Sequence, residues 1–205
     1  MLRRRFVMRV LPVLLASTLG ACVLGDRKIM LDYPPKADSG VVSEAKAAPA
    51  PAATGVEIAL AEFSDKRGEK KVIGDTQNAY GMRMADVIAV NDVPTWVTGA
   101  VRSEMQAAGY TVVDEPSAEE AARVLMVSGE VVKVYTTAYW SYEADVRFHA
   151  LVQKGETVLL DKVYSGEGSE GTNWAATEKA YGHSLALALQ DAARKFVGDL
   201  RALEN

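Results

Sequence analysis

Alternating apolar and polar residues predict most of the strands of this chain. The alternation first occurs at residues 56–63 and returns over longer stretches at residues 124–135, 139–152 and 157–166. Within the second long stretch, every other residue from 142 to 150 is Tyr, Ala, Val or Phe, and charged residues or His lie between them. A period of two is typical of strands with one buried face. Because short turns separate the three long stretches, we expect an antiparallel meander.

Two other stretches repeat their apolar residues at helical spacing. The first follows a capping Asp92, has Pro94 in its first turn and ends before Gly109. The second covers about residues 174–203, and its apolar stripe consists of Tyr181, Leu185, Leu189, Ala192, Phe196, Leu200 and Leu203. Residues 118–122 predict a further helical turn, and the glycine-rich residues 166–173 predict a flexible loop. The whole pattern predicts an α+β fold, a two-layer domain in which a mostly antiparallel sheet packs against two helices.

The first 21 residues have the pattern of an export signal. Arginines at positions 3, 4, 5 and 9 precede an apolar run over residues 10–19. A run of about ten residues has the length of the apolar part of a secretory signal and is too short to cross a bilayer. The adjacent arginines also match part of a twin-arginine signal. We favour the general secretory route, because the sequence shows no cofactor motif that would require export of a folded protein.

The predicted signal ends at the one cysteine of the chain. The run Leu19-Gly20-Ala21-Cys22 resembles the lipobox of bacterial lipoproteins, in which the signal is cut before the cysteine and both the thiol and the new amine are acylated. The alternative is an ordinary signal peptide followed by an incidental cysteine. Val23 follows, not Asp, and by resemblance to enterobacterial sorting this predicts the periplasmic face of the outer membrane.

Composition divides the rest of the chain into a tether, residues 22–54, and a periplasmic domain, residues 55–205. The Ala/Pro-rich residues 47–53 favour extended polyproline II, and a fully extended tether of this length reaches up to ~90 Å. The alternative is that residues 27–33 pack on the domain as an N-terminal strand. Removal of residues 1–21 changes the net charge from −4 to −8. An acidic domain argues against nucleic acid as a partner and against a basic patch for anionic headgroups.

The sequence offers no motif for catalysis, a metal or a cofactor. His149 and His183 are far apart in the chain, and we interpret both as solvated surface residues. The glycines of residues 166–171 lack the Lys-Ser/Thr pair of a phosphate-binding loop. Two Glu also lie where an anion would bind, and their negative charge would repel it. We therefore expect a protein that is not an enzyme.

Two groups of residues are candidates for a structural or binding role. Asp65 and Arg67 follow the first predicted strand, where the carboxylate accepts turn N–H groups and the guanidinium pairs across the loop; we favour loop fixing over binding. Aromatic residues surround a predicted hairpin tip at residues 136–138 and are candidates for binding a partner: Tyr135, Tyr139, Trp140 and Tyr142. The alternative is that some of them cover the core face of the sheet. Neighbouring strand residues point to opposite faces, so one core cannot bury all four.

The order of these features resembles the YajG-type family of bacterial lipoproteins. The similarity covers about residues 56–200 and rests on the lipobox, the Asp65-Lys66-Arg67 run before residues 72–74, the helix end and strand at residues 105–113, the strand at 127–134 and the long last helix. The resemblance implies an envelope lipoprotein without a known activity. A more distant likeness in layout is to auxiliary lipoproteins of lipid-transporting ABC systems.

These observations predict a non-enzymatic lipoprotein that is anchored in the membrane by acyl chains and acts as a binding or assembly partner in the cell envelope. The expected partner is an envelope protein. The alternative is an accessory subunit of an envelope lipid-transport system, which requires an apolar groove between sheet and helices.

Overall fold

The structure is a computed structural model, and it describes residues 25–34, 55–114, 124–172 and 177–204. In chain order the elements are β1 (Arg27–Ile29), β2 (Glu57–Leu60), β3 (Ser64–Asp65), β4 (Val72–Gln77), β5 (Arg83–Ala89), α1 (Val93–Ala107), β6 (Thr111–Val113), β7 (Leu125–Ala138), β8 (Ser141–Lys154), β9 (Thr157–Thr172) and α2 (Glu178–Ala202). All nine of these strands belong to one sheet. Neither described helix is long and apolar enough to cross a membrane.

Strand β7 is the central strand of this sheet. One edge of β7 pairs antiparallel with β8, which in turn pairs antiparallel with β9. The other edge pairs with three short parallel strands in succession: β2 at residues 125–127, β3 at residues 130–131 and β4 at residues 136–138. Beyond them, β6 pairs with β2, β5 pairs with β4, and β1 pairs with β5. A strand of 14 residues is about 45 Å long. Three short strands can therefore pair with it one after another along the same edge.

The α+β class and the two helices agree with the sequence-based prediction, but the sheet is mixed and not mostly antiparallel. The predicted meander is present as β7, β8 and β9. Strands β2, β3 and β4 instead lie parallel to β7. Apolar alternation has the same period in parallel and antiparallel strands, so it does not identify the partner of a strand.

Both helices pack on the same face of the sheet and on each other. The α1 helix begins as predicted, since the Asp92 side chain accepts a hydrogen bond from the N–H of Thr95. The α2 helix lies across β7, β8 and β9 and contacts α1. Between the layers, the ring of Phe196 lies 6.3 Å from that of Phe148 and 5.4 Å from that of Tyr164. The buried side chains thus form one core between sheet and helices.

The glycine-rich residues 166–172 continue strand β9, and the predicted flexible loop is wrong for them. They pair with β8 as far as Thr172. A Cβ on Gly166 would lie 2.0 Å from the carbonyl oxygen of Ala188, and one on Gly168 would lie 2.1 Å from that of Ser184. The glycines are therefore present because the backbone of α2 rests directly on the strand.

Residues 25–34 belong to the folded domain, contrary to the prediction that a tether extends to residue 54. Strand β1 pairs parallel with β5, and Ile29 and Leu31 are buried. The Asn91 side chain accepts from the N–H of Leu31 at 2.8 Å and donates to its carbonyl at 2.9 Å. The indole N–H of Trp96 donates to the carbonyl of Asp32 at 3.0 Å. The alternative that an N-terminal strand packs on the domain agrees with the structure.

This strand changes the place of the predicted tether in the chain. The Ala/Pro-rich residues 47–53 follow β1 and precede β2, so they do not separate residue 22 from the whole domain. Four residues lie between Cys22 and Arg27. Cys22, residues 35–54 and the helical turn predicted at residues 118–122 lie outside the described residues.

Candidate functional site

The outer face of the sheet, opposite the helices, is polar and carries one of the candidate residues, Tyr135. The strict alternation of β8 places Ala144, Val146 and Phe148 in the core and turns Asp145 and Arg147 outward. The neighbouring strands β7 and β9 add further polar side chains to this face: Lys133, Tyr135, Thr137, Glu167 and Ser169. Neither described helix packs on it.

Asp75 is a buried carboxylate on this face, and it was not among the candidate residues predicted from the sequence. Thr137 donates to its Oδ1 at 2.6 Å, and the amide of Gln77 lies 3.4 Å from both carboxylate oxygens. Burial, together with the charge and hydrogen bond of Asp75, raises the pKa of Tyr135. The Tyr135 hydroxyl therefore stays protonated at neutral pH and donates to this carboxylate. A lone carboxylate at an outward strand position gives no signal in the sequence, because most such residues are solvated.

A groove of about 480 Å³ crosses this face beside Tyr135. Three carboxylates, those of Glu143, Asp145 and Glu167, line it. Lys133 and Arg147 each lie 2.7 Å from Oδ2 of Asp145. Partial burial acts to raise the pKa of Asp145, but the hydrogen bonds from Arg147 and Lys133 outweigh it and the pKa is lowered. The two cations neutralise Asp145, so the negative charge along the groove comes from Glu143 and Glu167. These carboxylates are hydrogen-bond acceptors that suit a polar, basic segment of a partner.

A second feature lies at one end of the sheet, where two hairpin turns are side by side. Because β4 and β7 are parallel neighbours up to residues 76 and 138, the β4–β5 turn and the β7–β8 turn leave the sheet at the same end. Five exposed apolar residues of these turns and the adjacent strand start form what we call the tip cluster: Tyr80, Met82, Met84, Tyr139 and Trp140.

Hydrogen bonds within and between the turns fix the tip cluster. The Asn78 side chain accepts from the N–H groups of Tyr80 at 2.9 Å and Met82 at 3.1 Å. Gly81 has a φ of 75°, which a residue with a side chain rarely adopts. The Tyr139 hydroxyl donates to the carbonyl of Ala79 in the other turn at 2.9 Å, and the Tyr139 and Trp140 rings lie 5.1 Å apart. The two turns therefore form one surface.

The structure separates the four aromatic candidates. Tyr139 and Trp140 are exposed in the turn, and Tyr135 lies half-buried on the outer face. Tyr142 is only 3 % exposed; its ring packs edge-on against Tyr181 at 5.1 Å. Tyr142 is thus a core residue that cannot touch a partner directly. The sequence analysis did not select Tyr80 and Met82, although Tyr80 stands between Asn78 and Gly81, residue types typical of a turn, where an apolar side chain is exposed.

Asp65 and Arg67 form a buried pair that closes the loop after β3. Arg67 donates from its backbone N–H and Nε to one carboxylate oxygen of Asp65 and from Nη2 to the other, at 2.8–3.1 Å. The same Nη2 reaches the carbonyl of Lys70 at 3.0 Å. These hydrogen bonds from Arg67 lower the pKa of Asp65.

We expect the substitution Asp65→Asn to cost about 3 kcal/mol at pH 7, because it leaves the buried guanidinium of Arg67 without its counter-charge. Since the folded-state pKa of Asp65 is lowered, the stabilisation is present above the ordinary pKa near ~4 and lost as the pH falls below it. The difference between the two proteins should therefore shrink from pH 5 towards pH 2. Urea unfolding across this range measures it. The exposed pair Arg83–Asp86 provides the control, since Asp86→Asn should cost less than about 1 kcal/mol at any pH; equal losses for both variants would contradict the expectation.

The two histidines are paired with carboxylates at separate places and are less solvated than predicted. His149 lies 2.5 Å from Asp161, and His183 lies 3.2 Å from Glu170. Their side chains are 27 % and 20 % exposed. Among the described residues, no three His, Cys, Asp or Glu side chains are grouped so that they could hold a metal ion.

The sheet and α2 are in direct contact where a lipid carrier would need a groove. Gly166 and Gly168 bring the backbone of β9 against that of α2, and the rings of Phe148, Tyr164 and Phe196 fill the adjacent space. The outer-face groove lies on the other side of the sheet. In the described part of the chain, the geometry therefore gives no support to the lipid-transport alternative.

The fold defines the chain as an α+β protein with one mixed sheet and a helical layer on one face, and solved structures share this fold. Protein XCC0632 from Xanthomonas campestris, a DUF330 protein, has a TM-score of 0.53 and 8 % identity, with 88 % of this chain and 95 % of that chain covered. An uncharacterized protein has a TM-score of 0.50 and 7 % identity, with 74 % and 95 % covered. The hypothetical protein CT253 from Chlamydia trachomatis has a TM-score of 0.47, 8 % identity and coverage of 72 % and 96 %.

At these identities the similarity concerns the fold alone, and it rests on the first two structures. No family model matches the sequence. A search of the curated proteins finds no significant match.

Proposed function

We propose that the chain is a non-enzymatic, YajG-type envelope lipoprotein that is anchored through acylated Cys22 and binds a periplasmic protein with the outer face of its sheet. The anchor holds the domain on the periplasmic face of the outer membrane. The partner contributes a polar, basic segment that lies along the groove beside Tyr135.

The observation that carries this proposal is the polar face of three long strands, which neither of the described helices covers. Strands β7, β8 and β9 bury one face under α2 and present Tyr135, Asp145 and Arg147 on the other. The groove on that face holds three carboxylates, so it offers both charge complementarity and hydrogen-bond acceptors to a partner. The lipobox at residues 19–22 and the fold shared with a DUF330 protein are consistent with an envelope protein.

The test uses intact cells and two changes that address the anchor and the partner separately. Cys22→Ser removes the acylated thiol, so we expect the protein to move from the outer-membrane fraction to the soluble periplasmic fraction. A photoreactive amino acid in place of Glu143, in the groove, is expected to give a discrete protein adduct that mass spectrometry identifies.

The matched control for the partner is Glu156, an exposed glutamate in the β8–β9 turn at the far end of the sheet. We expect no adduct from that position. The same adduct from both positions, or none from Glu143, would contradict a partner in the groove. Membrane retention of the Cys22→Ser protein would contradict the anchor.

A further inference from the structure

The tip cluster is a group of exposed apolar side chains on two adjacent turns that the proposed function does not use. Tyr80 is 87 % exposed, Trp140 65 % and Met82 57 %. They lie on adjacent turns that the Tyr139–Ala79 hydrogen bond joins. Contiguous exposed apolar surface on a folded domain marks contact with a protein or a membrane.

The composition of the cluster is that of a surface at a membrane–water boundary. Tyr and Trp combine an apolar ring with one polar atom, and they are enriched where one end of the side chain is in lipid and the other in water. The two methionines add flexible apolar chains that adapt to a disordered surface. The Asn78 side chain fixes the backbone of Tyr80 and Met82 in their turn, and the hydrogen bond from the Tyr139 hydroxyl to Ala79 fixes the Tyr139 ring.

The start of the chain points to the same end of the sheet. Strand β1 runs parallel to β5 with Arg27 opposite Val87, so its first residue lies nearer the β4–β5 turn than its last. Five residue steps lead from Cys22 to Arg27, and they span at most about 17 Å. The stretch from Met82 to Val87, the residue opposite Arg27, also has five steps. An anchor at Cys22 therefore keeps the lipid within about 17 Å of Arg27, a reach that extends as far as the tip cluster.

The net charge of the protein indicates whether electrostatic attraction or apolar burial drives its contact with the membrane. After removal of residues 1–21 the chain is acidic, with the loss of four arginines from a chain whose net charge is already −4. Near the turns, the cation of Arg83 is paired with Asp86. Attraction between basic residues and anionic headgroups is thus not the interaction that drives membrane contact. Burial of apolar side chains in the bilayer drives it instead.

The geometry points to the tip cluster as a membrane-docking surface that inserts into the headgroup region of the bilayer carrying the anchor. This inference rests on the proposed function, because it requires the anchor at Cys22. The anchor supplies the attachment, and the tip cluster sets the orientation. The long strands then point towards the membrane with the end that carries the two turns in contact with it. The groove on the outer face then opens sideways into the periplasm.

The test uses the acylated full chain, purified from membranes and reconstituted into vesicles of phosphatidylethanolamine and phosphatidylglycerol. A photoreactive diazirine amino acid replaces Trp140 or, in a second protein, Tyr80. The control position is Val158, which is 51 % exposed and lies at the opposite end of the sheet, opposite Gln153 of β8. We expect lipid adducts at Trp140 and Tyr80 in at least tenfold greater yield than at Val158.

Flotation of the vesicles is measured on the same samples and separates the two proposals. A protein that does not float refutes the anchor, and the docking surface with it. A protein that floats but gives equal lipid yields at the three positions, or none, refutes the docking surface alone. In intact cells, adducts from Trp140 to a protein and not to lipid would also overturn it and would assign the tip cluster to a protein partner.

Discussion

Replacing Gly166 with alanine is expected to destabilise the domain by about 3 kcal/mol or more, because it forces two backbones apart. The added Cβ would lie 2.0 Å from the carbonyl oxygen of Ala188 and 2.5 Å from the N–H nitrogen of Ala192. Both atoms belong to the backbone of α2, so no side-chain rotation relieves the clash. The helix has to lift from β9, which opens the contact between Phe196 and Tyr164. Urea unfolding followed by circular dichroism measures the loss.

Gly171 in the same strand provides the control for this substitution. A Cβ at Gly171 meets no atom within 4 Å, so Gly171→Ala should leave the stability unchanged or raise it by up to about 1 kcal/mol. Gly168→Ala should behave like the Gly166 variant, since its Cβ would lie 2.1 Å from the carbonyl oxygen of Ser184. Similar stabilities for the Gly166 and Gly171 variants would mean that α2 does not rest on β9.

The second large effect concerns β1, and we expect Ile29→Ala to cost about 3 kcal/mol. Ile29 is fully buried between the sheet and α2, which contacts β1. Its truncation removes three carbons from the core and leaves a cavity, because the strand is held in place and cannot move to fill it. One edge of β1 pairs with β5, and after the strand the Asn91 side chain binds both backbone groups of Leu31. Thermal and urea unfolding of the full chain report the change.

Met30 is the matched control, since it is the next residue and is 56 % exposed. Met30→Ala should cost less than about 1 kcal/mol. If residues 25–34 were instead a free tether, both substitutions would leave the stability unchanged. The comparison therefore tests whether the N-terminal segment is part of the fold, independently of any membrane.

A docked β1 has a direct consequence for the proposed lipoprotein. A tether of more than thirty residues would leave the domain free to rotate far from the membrane. With β1 in the sheet, four residues lie between Cys22 and Arg27, so an anchor at Cys22 would keep the domain close to the lipid. In the arrangement that we propose, the end of the sheet with Trp140 and Tyr80 contacts the lipid surface and the groove beside Tyr135 binds a periplasmic protein.

The elements whose signals are local could be predicted from the sequence. Asp92 and Gly109 bound α1 because capping depends on a few neighbouring residues. The alternation of β8 defined its core and outer faces correctly for the same reason. The pairing of Asp65 with Arg67, two residues apart, is likewise a contact within one loop.

Features that depend on contacts between residues far apart in the chain could not be predicted from these local patterns. Alternation is the same in parallel and antiparallel strands, so it did not show that β2, β3 and β4 follow one edge of β7. The glycines of β9 have the composition of a loop, and only the approach of α2 shows why they lie in a strand. The short β1 carries too little periodicity to be distinguished from a tether without its partners in β5 and α1.

The candidate site divides in the same way. The sequence by itself determined the net charge, the resemblance of residues 19–22 to a lipobox and the aromatic cluster near a hairpin tip, which it predicted at residues 136–138. Only the tertiary structure decided that the turn lies at Tyr139 and Trp140, that Tyr142 is core, that the turn with Tyr80 lies beside the one with Trp140, and that β1 starts towards that end of the sheet. The physical reason is that a residue's type and its neighbours set local conformation and charge, whereas burial and proximity arise from contacts between strands that are far apart in the chain.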